Sequence, residues 1–412
     1  MAVCVESLLI ALHISIKAKM NVNPVIAKLG RRLRLGLVGG GPGSFVGQVH
    51  RIAARLDDRY EIVASALSSN PQRSQAAGTA LGIVQDRAYG DFDQMLQAES
   101  VRDDGIDVLA VMTPNSSHYV QCKQALEHGM DVICDKPLTT TLPNAVELVR
   151  RVRDKGLVGC VTYNYSGYPM VRQARAMIEA GALGQVRMIN AQYVQGHLCV
   201  PLEHTDDKKD AWRWDPDIAG PSYIVGDLGT HAYHLAEYVT GLKMTRLCAD
   251  LDATIVGRKF HDYCALLTRY ENGARGVMWI TQAAAGACHG LTLRVHGETA
   301  GIEWHQEQPN HLRFTPHEGP VQILQPGGAN ILPAAARVTR MAMGHPEGYY
   351  EAFANLYSDV AEAIAARRTR TQPDPMLDFP TLEDGARGVR FIEAAVQSSN
   401  ANGAWVDSML TI

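Results

Sequence analysis

Three side chains in this sequence have the types that proton and hydride chemistry at a hydroxyl group needs: Lys136, Asp227 and His231. Lys136 lies in the run Val132–Leu138, VICDKPL, where a short apolar strand gives way to an acid, a lysine and a proline. An ammonium beside a buried strand is costly unless a polarised or anionic group needs it there. We read Lys136 as sitting where a nicotinamide ring meets a substrate hydroxyl; the plain alternative is a surface lysine after a strand. Asp227 and His231 belong to GDLGTH, residues 226–231. If Asp227 begins a helix, the i, i+4 spacing puts carboxylate and imidazole on one face. A carboxylate there raises the histidine pKa and fixes its orientation, as a general base near neutrality requires. The same residues also read as a helix N-cap and a core histidine. His234 follows three residues after His231, but no H-E-x-x-H pattern or thiol partner accompanies them, so no metal is expected.

The elements that must position these groups begin at Arg34–Val38, an apolar strand that runs into GGGPGSFVGQVHR. Strand, glycine loop and helix are the setting of a dinucleotide-binding turn, where the backbone must approach a pyrophosphate with no Cβ in the way. Gly39 and Gly41 fit the first two positions and Gly47 opens the helix, although the loop is longer than a strict G-x-G-x-x-G. Strand-like runs at Glu61–Leu67, Asp107–Met112 and Val132–Cys134 alternate with helical ones at Ser74–Leu81 and His118–His128. That alternation predicts a doubly wound parallel sheet with its ligand at the carboxyl ends of the strands. Thr113, Pro114 and Asn115, and then Asp135 and Lys136, fall at such ends. After the second strand the chain reads SSNPQR, with Ser68, Asn70 and Arg73 and no carboxylate, which leans from NAD towards NADP.

The second half changes character. Tyr163, Asn164 and Tyr168 in VTYNYSGYP, and Trp212 and Arg213 in AWRWD, are candidates to line a polyhydroxylated substrate; domain-bridging tyrosines and an ordinary folded loop are the alternatives. Strand-like runs at Cys248–Val256, Asp262–Tyr270, Ala274–Gln282, Leu291–His296 and Gly301–Glu307 predict a large, mostly antiparallel sheet, with Glu271-Asn272-Gly273 as a hairpin turn. Ala329–Met343 is Ala-rich and connecting, and Tyr349–Ala366 and Thr381–Ser398 read as helices that pack back on the body. The expected organisation is an N-terminal extension over 1–30, weakly ordered; a Rossmann domain over 31–158; and a substrate-binding and oligomerisation domain over 159–412.

Composition narrows the function classes. The formal charge of -4, from 39 basic and 43 acidic residues without a like-charged block, argues against nucleic acid or an anionic membrane as partner. Eight scattered cysteines with no C-x-x-C pair read as reduced thiols of a cytoplasmic protein. The apolar stretch Ser7–Ile16 is too short to span a bilayer, and Glu6 rather than a basic residue precedes it, so neither a membrane span nor a signal peptide is expected; Met20 is an alternative start.

Taken together, these motifs resemble the glucose–fructose oxidoreductase / inositol dehydrogenase (Gfo/Idh/MocA) family over about residues 32–405. The family's glycine loop and G-x-x-H match Gly39, Gly41, Gly47 and His50, and its T-P-N-x-x-H loop matches Thr113, Pro114, Asn115 and His118. Its E-K-P motif appears as Asp135-Lys136-Pro137 and its D-x-G-x-H motif as Asp227, Gly229 and His231. The resemblance implies a Rossmann domain, a C-terminal α/β domain with a large open sheet, a homo-oligomer (dimer or tetramer) built through that sheet, and NAD(P)-linked oxidation of a sugar or polyol hydroxyl. Cofactor contacts then fall to Gly39, Gly41, Gly47, Ser68, Arg73, Thr113, Pro114, Asn115, His118, Asp135 and Lys136. Substrate contacts fall to Tyr163, Asn164, Tyr168, Trp212, Arg213, His231 and His234, and catalysis to Lys136, Asp227 and His231. The sequence departs from the family in three extra residues in the glycine loop, Asp135 for glutamate, and His234 where many members have aspartate. An NAD-dependent glycosidase acting through transient oxidation at a sugar C3, a biosynthetic ketoreductase and a non-catalytic dinucleotide-binding regulator are the other readings of the same fold.

Overall fold

The apolar runs of the first half pair side by side. In the computed structural model, which describes residues 23–201 and 212–412, β1 (Leu33–Gly39), β2 (Tyr60–Ala66), β3 (Val108–Met112), β4 (Asp131–Cys134) and β5 (Gly159–Val161) form a parallel sheet. Its order is β2-β1-β3-β4-β5. Every residue of β3 and β4 is buried, because helices cover both faces of the sheet. Those helices are α1 (Pro24–Leu29), α2 (Phe45–Leu56), α3 (Pro71–Ala80), α4 (Phe92–Ser100), α5 (Asn115–Glu127) and α6 (Leu142–Lys155). The strand order reverses between β1 and β3, which opens a crevice over their carboxyl ends.

Of the expected loose extension, residues 1–22 lie outside the described residues, while residues 24–29 are helical rather than loose. Asn23 caps α1 by accepting from the Val25 and Ile26 N–H groups, Gly30 ends it in the left-handed region, and Val25 is buried in the Rossmann core. Among the described residues no helix is long and apolar enough to cross a membrane.

The second sheet has nine strands: β6 (Met188–Val194), β7 (Met244–Asp252), β8 (Tyr263–Tyr270), β9 (Arg275–Thr281), β10 (Gly290–His296), β11 (Ala300–His305), β12 (Leu312–Pro316), β13 (Gln322–Leu324) and β14 (Val406–Asp407). Its order is β13-β12-β11-β10-β6-β9-β8-β7-β14, antiparallel except where β6 runs parallel to β9. β6 was not expected from the sequence. It is nevertheless central, with one side chain in two buried against the helices. One face packs on α7 (Pro169–Glu179) and α9 (Thr230–Thr240); α8 (Pro216–Ala219) is a single turn near the crevice. After α10 (Pro333–Arg337), helix α11 (Tyr349–Thr369) returns to the first sheet, placing Phe353, Tyr357, Val360 and Ile364 in a core with Leu33, Leu35 and Val49. Each such side chain contributes about 1.5–3 kcal/mol by leaving water. Helix α12 (Leu382–Asn400) packs against α6 and β7, so it touches both sheets.

Candidate active site

The glycine loop brings the first sheet to its ligand cavity. Gly39 ends β1 with φ +75°, where an L side chain is strained, and a Cβ on Gly47 would lie 1.9 Å from the Gly40 carbonyl oxygen. These two glycines fold the loop and let α2 press against it, so they shape the cavity from behind, while Gly41 lines it. The cavity holds about 820 Å³ at the carboxyl ends of the strands. Phe45 and Val46, the first residues of α2, also line it, and first-turn N–H groups lack intrahelical acceptors. The cradle therefore fits a pyrophosphate, and the cavity's volume is large enough for a dinucleotide. At the β2 end the wall is Ser68 and the exposed Arg73, with no acid lining that end among the described residues. Asn70 is spent on the cap of α3, accepting from the Arg73 N–H at 2.9 Å.

Thr113, Pro114 and Asn115 line the same cavity, but their polar atoms also serve the fold: Thr113 Oγ1 donates to Gln121 and Asn115 Nδ2 donates to the Ala219 carbonyl, at 2.7 and 2.9 Å. His118 does not line it. Its ring is buried between two carbonyls, with Nδ1 2.9 Å from Pro137 O and Nε2 2.8 Å from Thr113 O. It braces the two loops that carry cavity residues. Asp135 is similarly engaged, its Oδ1 accepting from the Lys136 N–H and the Thr162 hydroxyl at 2.9 and 2.7 Å. The Lys136–Pro137 peptide is cis.

Beyond Lys136 a second chamber of about 990 Å³ opens towards the nine-stranded sheet, and Asp135, Lys136, Arg213 and Asp227 stand in the walls of both cavities. Lys136 Nζ donates to Asp227 Oδ1 at 2.5 Å and to Asp227 O at 2.7 Å. Asp227 Oδ2 accepts from Gln282 Nε2 at 2.9 Å. Burial pushes the Asp227 carboxyl up, but the Lys136 ammonium, helped by Arg213, outweighs it and holds the group well below the usual carboxylate range. The expected partnership of Asp227 with His231 is thus corrected: Asp227 spends both oxygens on Lys136 and Gln282. The local reason is a π-helical turn, Val225–Gly229, ahead of α9. A π turn carries more residues than an α turn, so i and i+4 no longer stack as in a regular helix.

His231 lines the chamber beside the tyrosines, with the Tyr165 ring edge-on at 4.8 Å, and its Nδ1 has no hydrogen-bond partner among the described residues. Its pKa is pushed well below 6.5 rather than raised, first by burial and then by Lys136, against the opposing pull of Asp227. The imidazole is therefore held in its neutral form, with a ring-nitrogen lone pair present, and burial at the same time lowers its basicity.

The other substrate candidates divide. Asn164 and Arg213 line the chamber, and both amide atoms of Asn164 are buried without a partner among the described residues. Trp212 lines the first cavity. In AWRWD, Ala211 lies outside the described residues, and Trp214 stacks on Phe260 at 4.5 Å, so this pair is folding core rather than a sugar platform. Tyr163 and Tyr168 are fully buried and do not reach the chamber. His234 does not reach it either. It is stacked between Tyr163, at 4.6 Å, and Tyr238, at 5.7 Å, and faces a separate cavity of about 550 Å³ beneath α9. Tyr165, the middle tyrosine of VTYNYSGYP, does line the chamber, its hydroxyl 2.6 Å from that of Tyr193; Tyr193, Gln195 and Tyr349 at the start of α11 are chamber residues that sequence reading missed. Tyr349 carries no local signal.

Comparison with known proteins agrees with this geometry. The family description "Oxidoreductase family, NAD-binding Rossmann fold" matches residues 33–164, and "GFO/IDH/MocA C-terminal domain" matches residues 171–303. The chain is 36% identical to the uncharacterized oxidoreductase YfiI of Bacillus subtilis, over 92% of this chain and 98% of that one. Among solved structures, an oxidoreductase from Sinorhizobium meliloti is 45% identical with a TM-score of 0.83, over 91% of this chain and 99% of that one. An inositol dehydrogenase homologue from Azotobacter vinelandii, in complex with NADH and myo-inositol, is 37% identical with a TM-score of 0.86, over 92% and 98% of the two chains. The chain belongs to the Gfo/Idh/MocA family of oxidoreductases, with its NAD-binding Rossmann fold.

Proposed function

We propose that this protein transfers a hydride reversibly between a nicotinamide dinucleotide and the hydroxyl or keto carbon of a sugar, inositol or sugar derivative. The observation that carries the reading is the Lys136–Asp227 ion pair at the junction of the two cavities, with the neutral His231 in the wall of the second. The bound dinucleotide would accept or return the hydride. Gly41, the start of α2, Ser68, Arg73, Thr113, Pro114 and Asn115 would hold it, with Gly39, Gly47, His118 and Asp135 shaping the loops behind. Lys136 would hydrogen-bond the substrate oxygen and stabilise alkoxide character, a type of contact worth about 3–4 kcal/mol in a water-excluded site. His231 would take the hydroxyl proton. Asp227 aims the lysine through its carboxylate and its carbonyl, and Asn164 offers an unspent donor and acceptor to a substrate hydroxyl. The inositol dehydrogenase homologue with myo-inositol supports a polyol of that kind.

The Ser68–Arg73 edge favours NADP, because a guanidinium without a neighbouring carboxylate suits a 2′-phosphate. Residues 31–158 would carry the dinucleotide and residues 159–412 the substrate. The outer face of the nine-stranded sheet leaves Met188, Leu267, Val277 and Trp279 exposed on the adjoining strands β6, β8 and β9, an apolar patch suited to a second copy of the chain. Purified protein assayed with NAD and NADP against inositols, monosaccharides, anhydrosugars and glycosides tests the reading. Cofactor reduction with one polyol class is expected; release of a free sugar without net reduction would replace the reading with a glycosidase, and tight dinucleotide binding without turnover would replace it with a regulator.

A further inference from the structure

Gln282 follows the last residue of β9 and belongs to no motif. It is 1% exposed, and its backbone is pinned on both sides: its N–H donates to Asp262 O at 3.2 Å and its carbonyl accepts from the Leu198 N–H at 2.9 Å. From that fixed base Nε2 donates to Asp227 Oδ2. A carboxylate turns easily about its last bond, so holding one oxygen decides where the other points. Oδ1 then meets Lys136 Nζ, and the Asp227 carbonyl meets the same nitrogen. We propose that Gln282 is a positioning residue for the reaction: by fixing Asp227 Oδ2 it sets the two-point grip of Asp227 on the Lys136 ammonium at the junction of the cavities. The proposal rests on the reading of Lys136 as the group that polarises the substrate oxygen.

The test uses the full-length protein and the reactivity of Lys136 towards acetic anhydride, read by peptide mass spectrometry. Two short contacts hold the Lys136 nitrogen against Asp227 and away from an incoming reagent, so loosening the grip speeds acetylation. Gln282→Met keeps the side-chain length and removes the donor. It should raise the Lys136 acetylation rate about fivefold, and in an Asp227→Asn background it should add less than about twofold, because the effect runs through Asp227. With myo-inositol and NAD as the probe pair, turnover should fall about tenfold while the KM for NAD stays unchanged. Unchanged Lys136 reactivity in Gln282→Met, or the same fold-change in both backgrounds, would overturn the proposal. The acetylation readout needs no turnover, so it judges Gln282 alone, whereas normal turnover in Lys136→Met would overturn the reading of the site.

Discussion

His231 and His234 sit one turn apart on α9, are equally buried, and share Tyr163 as a neighbour, yet they face different surroundings. His231 opens onto a chamber with Lys136 and Asp227 in its wall. His234 lies flat between two tyrosine rings, over a cavity whose charged groups already have partners: Arg175 with Glu179 and Asp378, Lys243 with Glu237, Arg387 with Glu383, and Asp384 with the Thr381 N–H and hydroxyl. Both imidazoles are kept neutral chiefly by burial, His234 with its pKa pushed down to about 4. Burial alone therefore does not mark a catalytic histidine. What separates the two is a paired lysine at a cavity wall on one side and satisfied aromatic packing on the other.

Replacing each histidine is the sharpest way to break this contrast. His231→Ala should lower kcat by about 10²–10⁴-fold, the usual range for losing a general base, with dinucleotide binding kept in a fluorescence titration. His234→Phe preserves the stack and should change kcat by less than about threefold, since His234 lines neither the chamber nor the dinucleotide cavity. Comparable losses in both variants would erase the distinction.

Cofactor choice is the next largest effect. Arg73→Ala should raise the KM for NADP about tenfold and leave that for NAD nearly unchanged, as expected if its guanidinium meets a 2′-phosphate. An unchanged KM for both dinucleotides would place Arg73 in solvent, and an equal rise for both would place it on a group the two share.

The pH profile sharpens the role of His231. If its neutral form is the base, as proposed, that form persists until pH falls through the lowered pKa, so the acid limb of kcat/KM for oxidation should lie below pH 6.5. A limb above 6.5 would restore the carboxylate-raised histidine expected from spacing alone.

The smallest effect concerns stability. His234 binds a proton near pH 6.5 when unfolded but only near 4 when folded, so the unfolded chain takes up more protons in between. Its contribution is complete above pH 6.5 and is lost as pH falls towards 4. The urea midpoint of His234→Phe should drop less between pH 7 and 5 than that of the natural protein.

Much of this was legible in the sequence because its signals are local. The glycine loop, the apolar strands and the Asp135–Pro137 turn each carry their own pattern, and they placed Lys136 at the end of a buried strand correctly. Alternating strands announced the second sheet, although β6 was missed because Met188–Val194 mixes small, polar and apolar residues. What stayed hidden depends on contacts across the chain. Asp227 pairs with a lysine 91 residues away, and the π turn that frees it from His231 has no sequence signature. Tyr163, Tyr168 and His234 looked like substrate contacts by type, but only the packing of α7, α9 and α12 decides that they face inward.

If the Lys136 ammonium, gripped by Asp227, polarises the substrate oxygen as proposed, removing its charge tests the site most directly. Lys136→Met keeps the length of the side chain and removes its charge. Its turnover on the best polyol of the panel should fall by about 10²–10³-fold, while the dissociation constant of the dinucleotide stays within about twofold. Near-normal turnover in Lys136→Met would contradict the account.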